Sequence, residues 1–358
     1  MLSALMGFVL AFLVVALSTP PIRRYALQRK LGDKPNGRKI HTSVIPHLGG
    51  IGMVIAVWAS LVVLGVLTYL ERGVVPDTAF RVFVPVGMIV VLGLVDDTKS
   101  LRARQKLAVQ IVASALIAIA GVRLLVGIPG IDDRLLISGA LTTFYLVGMS
   151  SSVNLIDGLD GLAAGVSLIS AAAFGIAAAL LGAPAIVFIA LSLAGACVGF
   201  LLYNFPPGKI FMGDTGSLFL GIMLGIIACA VTMSEPTVTT FFGVGFILAV
   251  PMLDTWLAIA RRLVLRRPVF EADHQHIHHI LTSLGLSARQ TLAVLYTLQV
   301  AMAVLGILAI KGLFLPVVGG AAIVVAAFST FFRMMIATKE PAREPASDFV
   351  GGVPSLEK

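Results

Sequence analysis

Long apolar runs alternate with short polar breaks along the whole chain. Runs of helical length fall at about 2–20, 48–70, 80–95, 106–127, 135–153, 161–182, 185–203, 215–233, 239–260, 290–310 and 313–333. A helix of ~20 residues crosses the hydrocarbon core of a bilayer. Backbone groups there must bond internally, and the runs lack the alternation of barrel strands, so each run is predicted as a helix. The pattern predicts an all-α polytopic membrane protein of about 10–11 transmembrane helices. One integral-membrane domain covers 1–333, and the Pro-, Glu- and Ser-containing tail 334–358 reads as a disordered end. The run at 80–95 is the shortest, and the split between 161–182 and 185–203 rests on Gly182-Ala-Pro184. The first run, Leu2 to Leu17, lacks a basic leader and a small-residue cleavage site, so it reads as a retained span.

Composition agrees. Of 358 residues, 58% are hydrophobic and 12% charged, against ~45–50% and ~25% in soluble domains. Cys197 and Cys229 both lie in apolar runs, which argues against a disulfide framework or a thiol–zinc site. The formal charge of +8 reflects topology, not nucleic-acid binding. An odd number of spans puts the termini on opposite sides. One set of loops then holds only Arg72, Arg81, Arg123, Arg134 and Lys311 of the 26 Lys and Arg residues. The positive-inside bias therefore puts 21–47, 96–105, 154–160, 204–214, 261–289 and the tail in the cytoplasm, with the N-terminus outside.

Every loop with chemical character falls in that cytoplasmic set. Asn154, Asp157 and Asp160 recur at every third position; on a helix they share an arc of roughly 120°. Carboxylates at membrane depth cost ~2.5–3.5 kcal/mol each, which a cation or polar substrate can offset; the alternative is a polar turn. Asp96 and Asp97 end another run. One can help hold a divalent cation while the other acts as base, or the pair can be a charged helix cap. Lys106 follows on the next run. The stretch Lys209-Ile-Phe211-Met-Gly213-Asp214-Thr-Gly-Ser217 offers close backbone approach to phosphate and a hard carboxylate oxygen at a helix start. Its alternative is a start capped by Asp214 or Thr215. Arg38, Lys39 and His41 lie in a Pro- and Gly-containing loop suited to phosphate contact or to anionic lipid. Arg261, Arg262, Arg266 and Arg267 precede Asp273, His274, His276, His278 and His279. That set suits an oxyanion or, as the alternative, zinc, although the His-Glu-x-x-His spacing is absent.

The inventory is acids, arginines, lysines and histidines with no Ser-His-Asp or Cys-His pattern. Clustered Asp and Asn fit Mg²⁺, and the surrounding basic residues fit a diphosphate. Phosphoryl transfer uses that equipment. The competing classes are a secondary transporter, disfavoured because the acids gather at one surface, and an intramembrane zinc hydrolase.

From Asp33 to about His279 the chain resembles the polyprenyl-phosphate N-acetylhexosamine-1-phosphate transferases, a glycosyltransferase family 4 group that includes the phospho-N-acetylmuramoyl-pentapeptide transferases. The resemblance is carried by Val-Asp-Asp at 95–97, Asn-x-x-Asp-Gly-x-Asp-Gly-Leu at 154–162, Phe-Met-Gly-Asp-Thr-Gly-Ser at 211–217 and His-x-His-His at 276–279, in that order. It implies attack of undecaprenyl phosphate on the sugar-linked phosphate of a UDP-N-acetylhexosamine, with Mg²⁺ (or Mn²⁺ in its place) and release of UMP. It implies Asp214 and Asn154 as metal ligands, and Asp96 and Asp97 as the pair acting on the lipid phosphate. Lys106 is implied as a diphosphate contact and Asp160 and Phe211 as the uridine site. His276, His278 and His279 are implied on the sugar-phosphate side, with Asp157 required but unassigned. The histidine motif is similar to that of the branch using UDP-N-acetylglucosamine, not the muramoyl-pentapeptide donor. The family also implies a multi-pass protein of the bacterial cytoplasmic membrane, in which a homodimer is common.

Overall fold

The computed structural model describes residues 2–29, 32–33, 45–73, 77–266 and 276–337. The elements in chain order are α1 (Leu2–Gln28), β1 (Gly32–Asp33), β2 (Ile45–Pro46), α2 (Gly49–Arg72), α3 (Asp77–Lys99), α4 (Ala103–Ile119), α5 (Leu135–Ile156), α6 (Leu162–Leu180), α7 (Pro184–Asn204), α8 (Gly213–Ser234), α9 (Val238–Ile247), α10 (Ala249–Val264), α11 (Ile277–Ser283), α12 (Ala288–Ile310) and α13 (Phe314–Ala337). The protein is an all-α, multi-pass membrane protein. Its strands are limited to one two-residue antiparallel pair, Gly32 opposite Pro46 and Asp33 opposite Ile45, among the described residues.

Each predicted span has a helical counterpart. Among the described residues, eight helices are long and apolar enough to cross a membrane, and the bent pair α9–α10 makes a ninth. The other two expected spans are α3, whose last turns carry charge, and α4, only 17 residues long. Both still pack in the bundle, α3 on α8 and α4 on α5. α8 lies at the centre, buried on nearly all sides, whereas α13 is exposed along almost its whole length.

Three expectations need correction. The run 239–260 is not one straight span: α9 and α10 meet at Leu248 with an 83° bend. Pro251 has no N–H to give the carbonyl of Ile247, and its ring would collide with that carbonyl in a continuous helix. The freed Ile247 carbonyl instead accepts from Ser170 Oγ at 2.9 Å and Gln299 Nε2 at 2.5 Å, while Gln299 Oε1 takes the Val250 N–H at 3.2 Å. A buried backbone group in an apolar bundle needs such partners. Second, the helix bearing Asn154 stops at Ile156, so Asp157 and Asp160 do not continue its arc. The chain turns there, and Gly161 at φ 82° starts α6. Third, Asp96 and Asp97 are not in a loop but in the last turn of α3.

Candidate active site

Four helix ends meet at the acidic centre: the end of α3, the start of α4, the end of α5 and the start of α8. Their meeting begins with a backbone need. A helix N-terminus leaves its first N–H groups without intrahelical partners. α8 has Met212 as N-cap, with no side-chain cap of its own. Asp97 supplies the cap from α3: Oδ1 accepts the Asp214 N–H at 2.7 Å, and Oδ2 accepts the Thr215 N–H at 3.1 Å and the Thr215 hydroxyl at 2.6 Å. An anion is also favoured there by the helix dipole. Gly213, at φ 72°, leaves space for that carboxylate; a Cβ would meet Asp97 Oδ2 at 2.7 Å.

Asp96 fixes the other side of the same junction. It is buried, and its Oδ1 accepts the Leu101 N–H at 2.5 Å. This closes the turn through Ser100, whose φ of 49° reverses the chain into α4. One turn into α4, Lys106 forms ion pairs with Asp96 Oδ2 and, at 2.6 Å, with Asp214 Oδ2. Asn154 Nδ2 reaches Asp214 Oδ1 at 3.0 Å and Ser217 Oγ at 2.9 Å. Asp214 is thus held from α4 and α5 while its own helix is capped from α3.

Beyond Asn154 the turn 157–161 is tied down on several sides. Asp160 Oδ2 accepts the Gly208 N–H at 2.9 Å, Asn204 Oδ1 accepts the Gly161 N–H at 2.8 Å, and Tyr296 donates to the Gly161 carbonyl at 2.6 Å. Asp157 sits between these groups. Burial, then the charges of Asp214, Asp97 and Asp160, raise its carboxyl well above the usual range. Lys209 is exposed, and its carbonyl accepts from Arg23 Nε at 2.9 Å. Phe211 pairs its backbone with the start of α2: its N–H bonds the Pro46 carbonyl at 2.8 Å and its carbonyl takes the Gly49 N–H at 3.0 Å. Its ring lies 5.6 Å from that of His47.

The histidines form a second group. His276 precedes α11, and His278 and His279 lie on it. His276 Nδ1 is 2.7 Å from Asp254 Oδ2 on α10, and Asp254 Oδ1 accepts the Ile277 N–H at 2.7 Å. His278 is buried against the turn: a Cβ on Gly158 would meet His278 Nε2 at 2.6 Å. Burial, with His279 beside it, pushes the His278 imidazole down to about 3. His279 is exposed. On its opposite flank α10 borders an apolar groove of about 390 Å³, lined by Leu253, Trp256, Leu263, Val324 and Phe328 among others.

The structure therefore brings together Asp96, Asp97, Lys106, Asn154, Asp157 and Asp214, links them through Gly158 to the histidines, and joins the turn of Asp160 to the loop of Lys209 and Phe211 through the Asp160–Gly208 bond. Arg38, Lys39, His41, Arg267, Asp273, His274 and the tail beyond Ala337 lie outside the described residues. Asp254, Asn204 and Tyr296 were missed by sequence reasoning. For Asp254 a signal was present: a lone acid inside an apolar run, which by default marks a functional or paired group.

Could these residues hold a divalent cation? Asp96 and Asp214 share the Lys106 ammonium, and Asp97 and Asp157 lie near enough to feel the charge of Asp214. The described residues contain no group of three or more His, Cys, Asp or Glu side chains set to bind a metal. One or two carboxylates and an amide fit Mg²⁺, which commonly takes its remaining oxygens from water and substrate phosphate.

Fold and site together define a multi-pass membrane protein with an acidic centre where four of its helix ends meet. The comparisons with known proteins give the family. Residues 79–232 match glycosyl transferase family 4. The chain is 35% identical over 300 residues to a probable undecaprenyl-phosphate N-acetylglucosaminyl 1-phosphate transferase of Bacillus subtilis, covering 83% of this chain and 82% of that one. It is 34% identical to a decaprenyl-phosphate N-acetylglucosaminephosphotransferase of Mycolicibacterium smegmatis, over 96% of this chain and 91% of that one. A phospho-N-acetylmuramoyl-pentapeptide-transferase of Moorella thermoacetica is 32% identical, over 86% of this chain and 98% of that one. The chain belongs to glycosyl transferase family 4.

Proposed function

We propose that this protein transfers N-acetylglucosamine 1-phosphate from UDP-N-acetylglucosamine to a polyprenyl phosphate, undecaprenyl phosphate in our reading, and releases UMP. The observation that carries the reading is Asp214, gripped by Lys106 and Asn154 from two other helices at the capped start of α8. That arrangement suits a diphosphate in a way that a transport pathway through the bilayer midplane would not require. N-acetylglucosamine is named for relatives at 34–35% identity, and the muramoyl-pentapeptide for one at 32%. The sequence His-Ile-His-His at 276–279 favours the same donor.

In this reaction an oxygen of the lipid phosphate bonds to the sugar-linked phosphorus. The bond from that phosphorus to the bridging oxygen breaks, and UMP leaves with the electron pair. Asp214 and Asn154 would hold Mg²⁺, which when bound neutralises the diphosphate and the departing UMP. Lys106 lies where it can pass from the two carboxylates to the diphosphate. Asp97 is engaged by three donors of α8, so we assign to Asp96 the orientation of the lipid phosphate, or removal of its second proton. Asp160 and Phe211, on two neighbouring loops, take uridine by hydrogen bonds and stacking, and the histidines take the sugar phosphate. The apolar groove beside α10 offers the polyprenyl chain a course out to the lipid. We assign the reaction to the cytoplasmic face of a bacterial inner membrane, a reading supported by the bias of Lys and Arg towards one set of loops.

Purified protein, undecaprenyl phosphate, Mg²⁺ and UDP-N-acetylglucosamine should together yield UMP, and omission of the lipid phosphate or chelation of the metal should stop it. UMP formed only with the muramoyl-pentapeptide donor would overturn the donor assignment; none with either would overturn the reaction. With a donor chiral at phosphorus the direct displacement inverts configuration, whereas a two-step route through a phospho-aspartate retains it.

A further inference from the structure

The three histidines are not equivalent. His279 is exposed, while His276 and His278 are 5% and 3% exposed. The rings of His276 and His278 are nearly parallel, with 4° between planes and 5.9 Å between centroids. His279 packs on His278 at 4.1 Å. The set is registered on His276, and His276 is registered on Asp254, which is 1% exposed and belongs to a different helix. A buried carboxylate on an apolar helix carries a large desolvation cost. Here it accepts two bonds of 2.7 Å, one from the imidazole and one from the Ile277 N–H.

We infer that Asp254 is a positioning residue for the transfer reaction. By accepting the Nδ1–H it fixes the tautomer and rotation of His276, so that Nε2 is the nitrogen presented to the sugar phosphate. The inference rests on the function proposed above. A purely structural role is the competing account, because the same carboxylate also caps α11. Asparagine separates the two. With Oδ1 kept on the Ile277 N–H, its Nδ2 group faces His276 Nδ1 as a donor and favours the ring protonated at Nε2, so the cap is kept while the tautomer is reversed.

The test uses full-length protein in detergent, with D254N, D254E, H276Q and D254N/H276Q, and 15N-labelled histidine to read ring tautomers. Expected are a His276 protonated at Nδ1 in the unmodified protein, loss of that signature in D254N, and a fall in kcat of about 100-fold. The donor KM should stay within about threefold, since the effect is on the transition state. D254E should recover part of the rate, and the double variant should be no slower than H276Q alone. D254N turnover within about threefold of the unmodified protein, or effects that multiply in the double variant, would overturn the inference. If the unmodified protein released no UMP, the proposed function would fall, and the tautomer would still decide the anchor: His276 protonated only at Nε2 would overturn it.

Discussion

The acidic centre and the histidine group are built in opposite ways. The acidic centre is spread over sequence: the Asp97–Thr215 contact joins residues 118 apart, and each key carboxylate is held from a different helix. The histidine group is compact in sequence and is tied to α10 through Asp254. Loss of one member of the first leaves charges out of balance, whereas loss of one member of the second leaves a local segment out of place. Substitutions in the acidic centre should therefore cost chemistry, and those in the histidine group geometry. The two groups touch at Gly158 and His278, so the contrast can be tested at their junction.

The largest effect is expected from D214N. It removes a charge from the centre while keeping the shape, and UMP release should fall by about 10³-fold or more, with the thermal unfolding midpoint nearly unchanged. Activity near normal at ordinary Mg²⁺ would break the account of the centre. Next come the neighbours Asp96 and Asp97. D97A removes the cap of α8 and should cost about 1–2 kcal/mol of stability along with activity. D96N should lose turnover with a smaller change in midpoint. Equal stability losses would erase the distinction drawn between them.

A smaller effect is expected at the junction. The Cβ of G158A would meet His278 Nε2 at 2.6 Å, forcing a shift that should lower kcat by about 10-fold. H278A should itself lose turnover, but on that background the added G158A change should cost nothing more; a full 10-fold penalty of G158A in the H278A chain would show that the halves are not coupled there. Smaller still is a pH effect on the histidine group alone. His278 has its imidazole pushed from 6.5 down to about 3 by burial. A base whose folded pKa is depressed binds its proton more readily when the segment opens. The stability of the α11 segment should therefore be full above about pH 6.5 and fall as pH drops from there towards 3. Hydrogen exchange of α11 across that range checks this, and H278Q should flatten the profile. The smallest effect is expected far from both groups: K311A, at the exposed far end of α12, should leave turnover within about twofold.

Much of this was legible in the sequence, for physical reasons that also explain what was not. Apolar runs report burial in lipid, so every long helix was visible. The same runs carry no information on direction, so the bend at Leu248 could be read only from Pro251, which a hydropathy pattern overlooks. Asn154, Asp157 and Asp160 share a spacing, but α5 ends at Ile156 and Gly161 restarts the chain as α6, so only the first is helical. Asp96 and Asp97 were visible as a pair, yet their division of labour depends on α8, more than a hundred residues away. Asp97 is indeed a helix cap, but of a helix other than its own. Asp254 was visible as an acid in an apolar run, and only the fold places it against His276.

The central claim is that the sugar leaves its donor with its phosphate attached. UDP-N-acetylglucosamine labelled with ³²P at the sugar-linked phosphorus tests it directly, with undecaprenyl phosphate as acceptor. Label is expected in the organic phase, in a lipid diphosphate bearing the sugar, with unlabelled UMP in the aqueous phase. Label remaining in the water as UDP, with an unlabelled lipid monophosphate sugar, would contradict it.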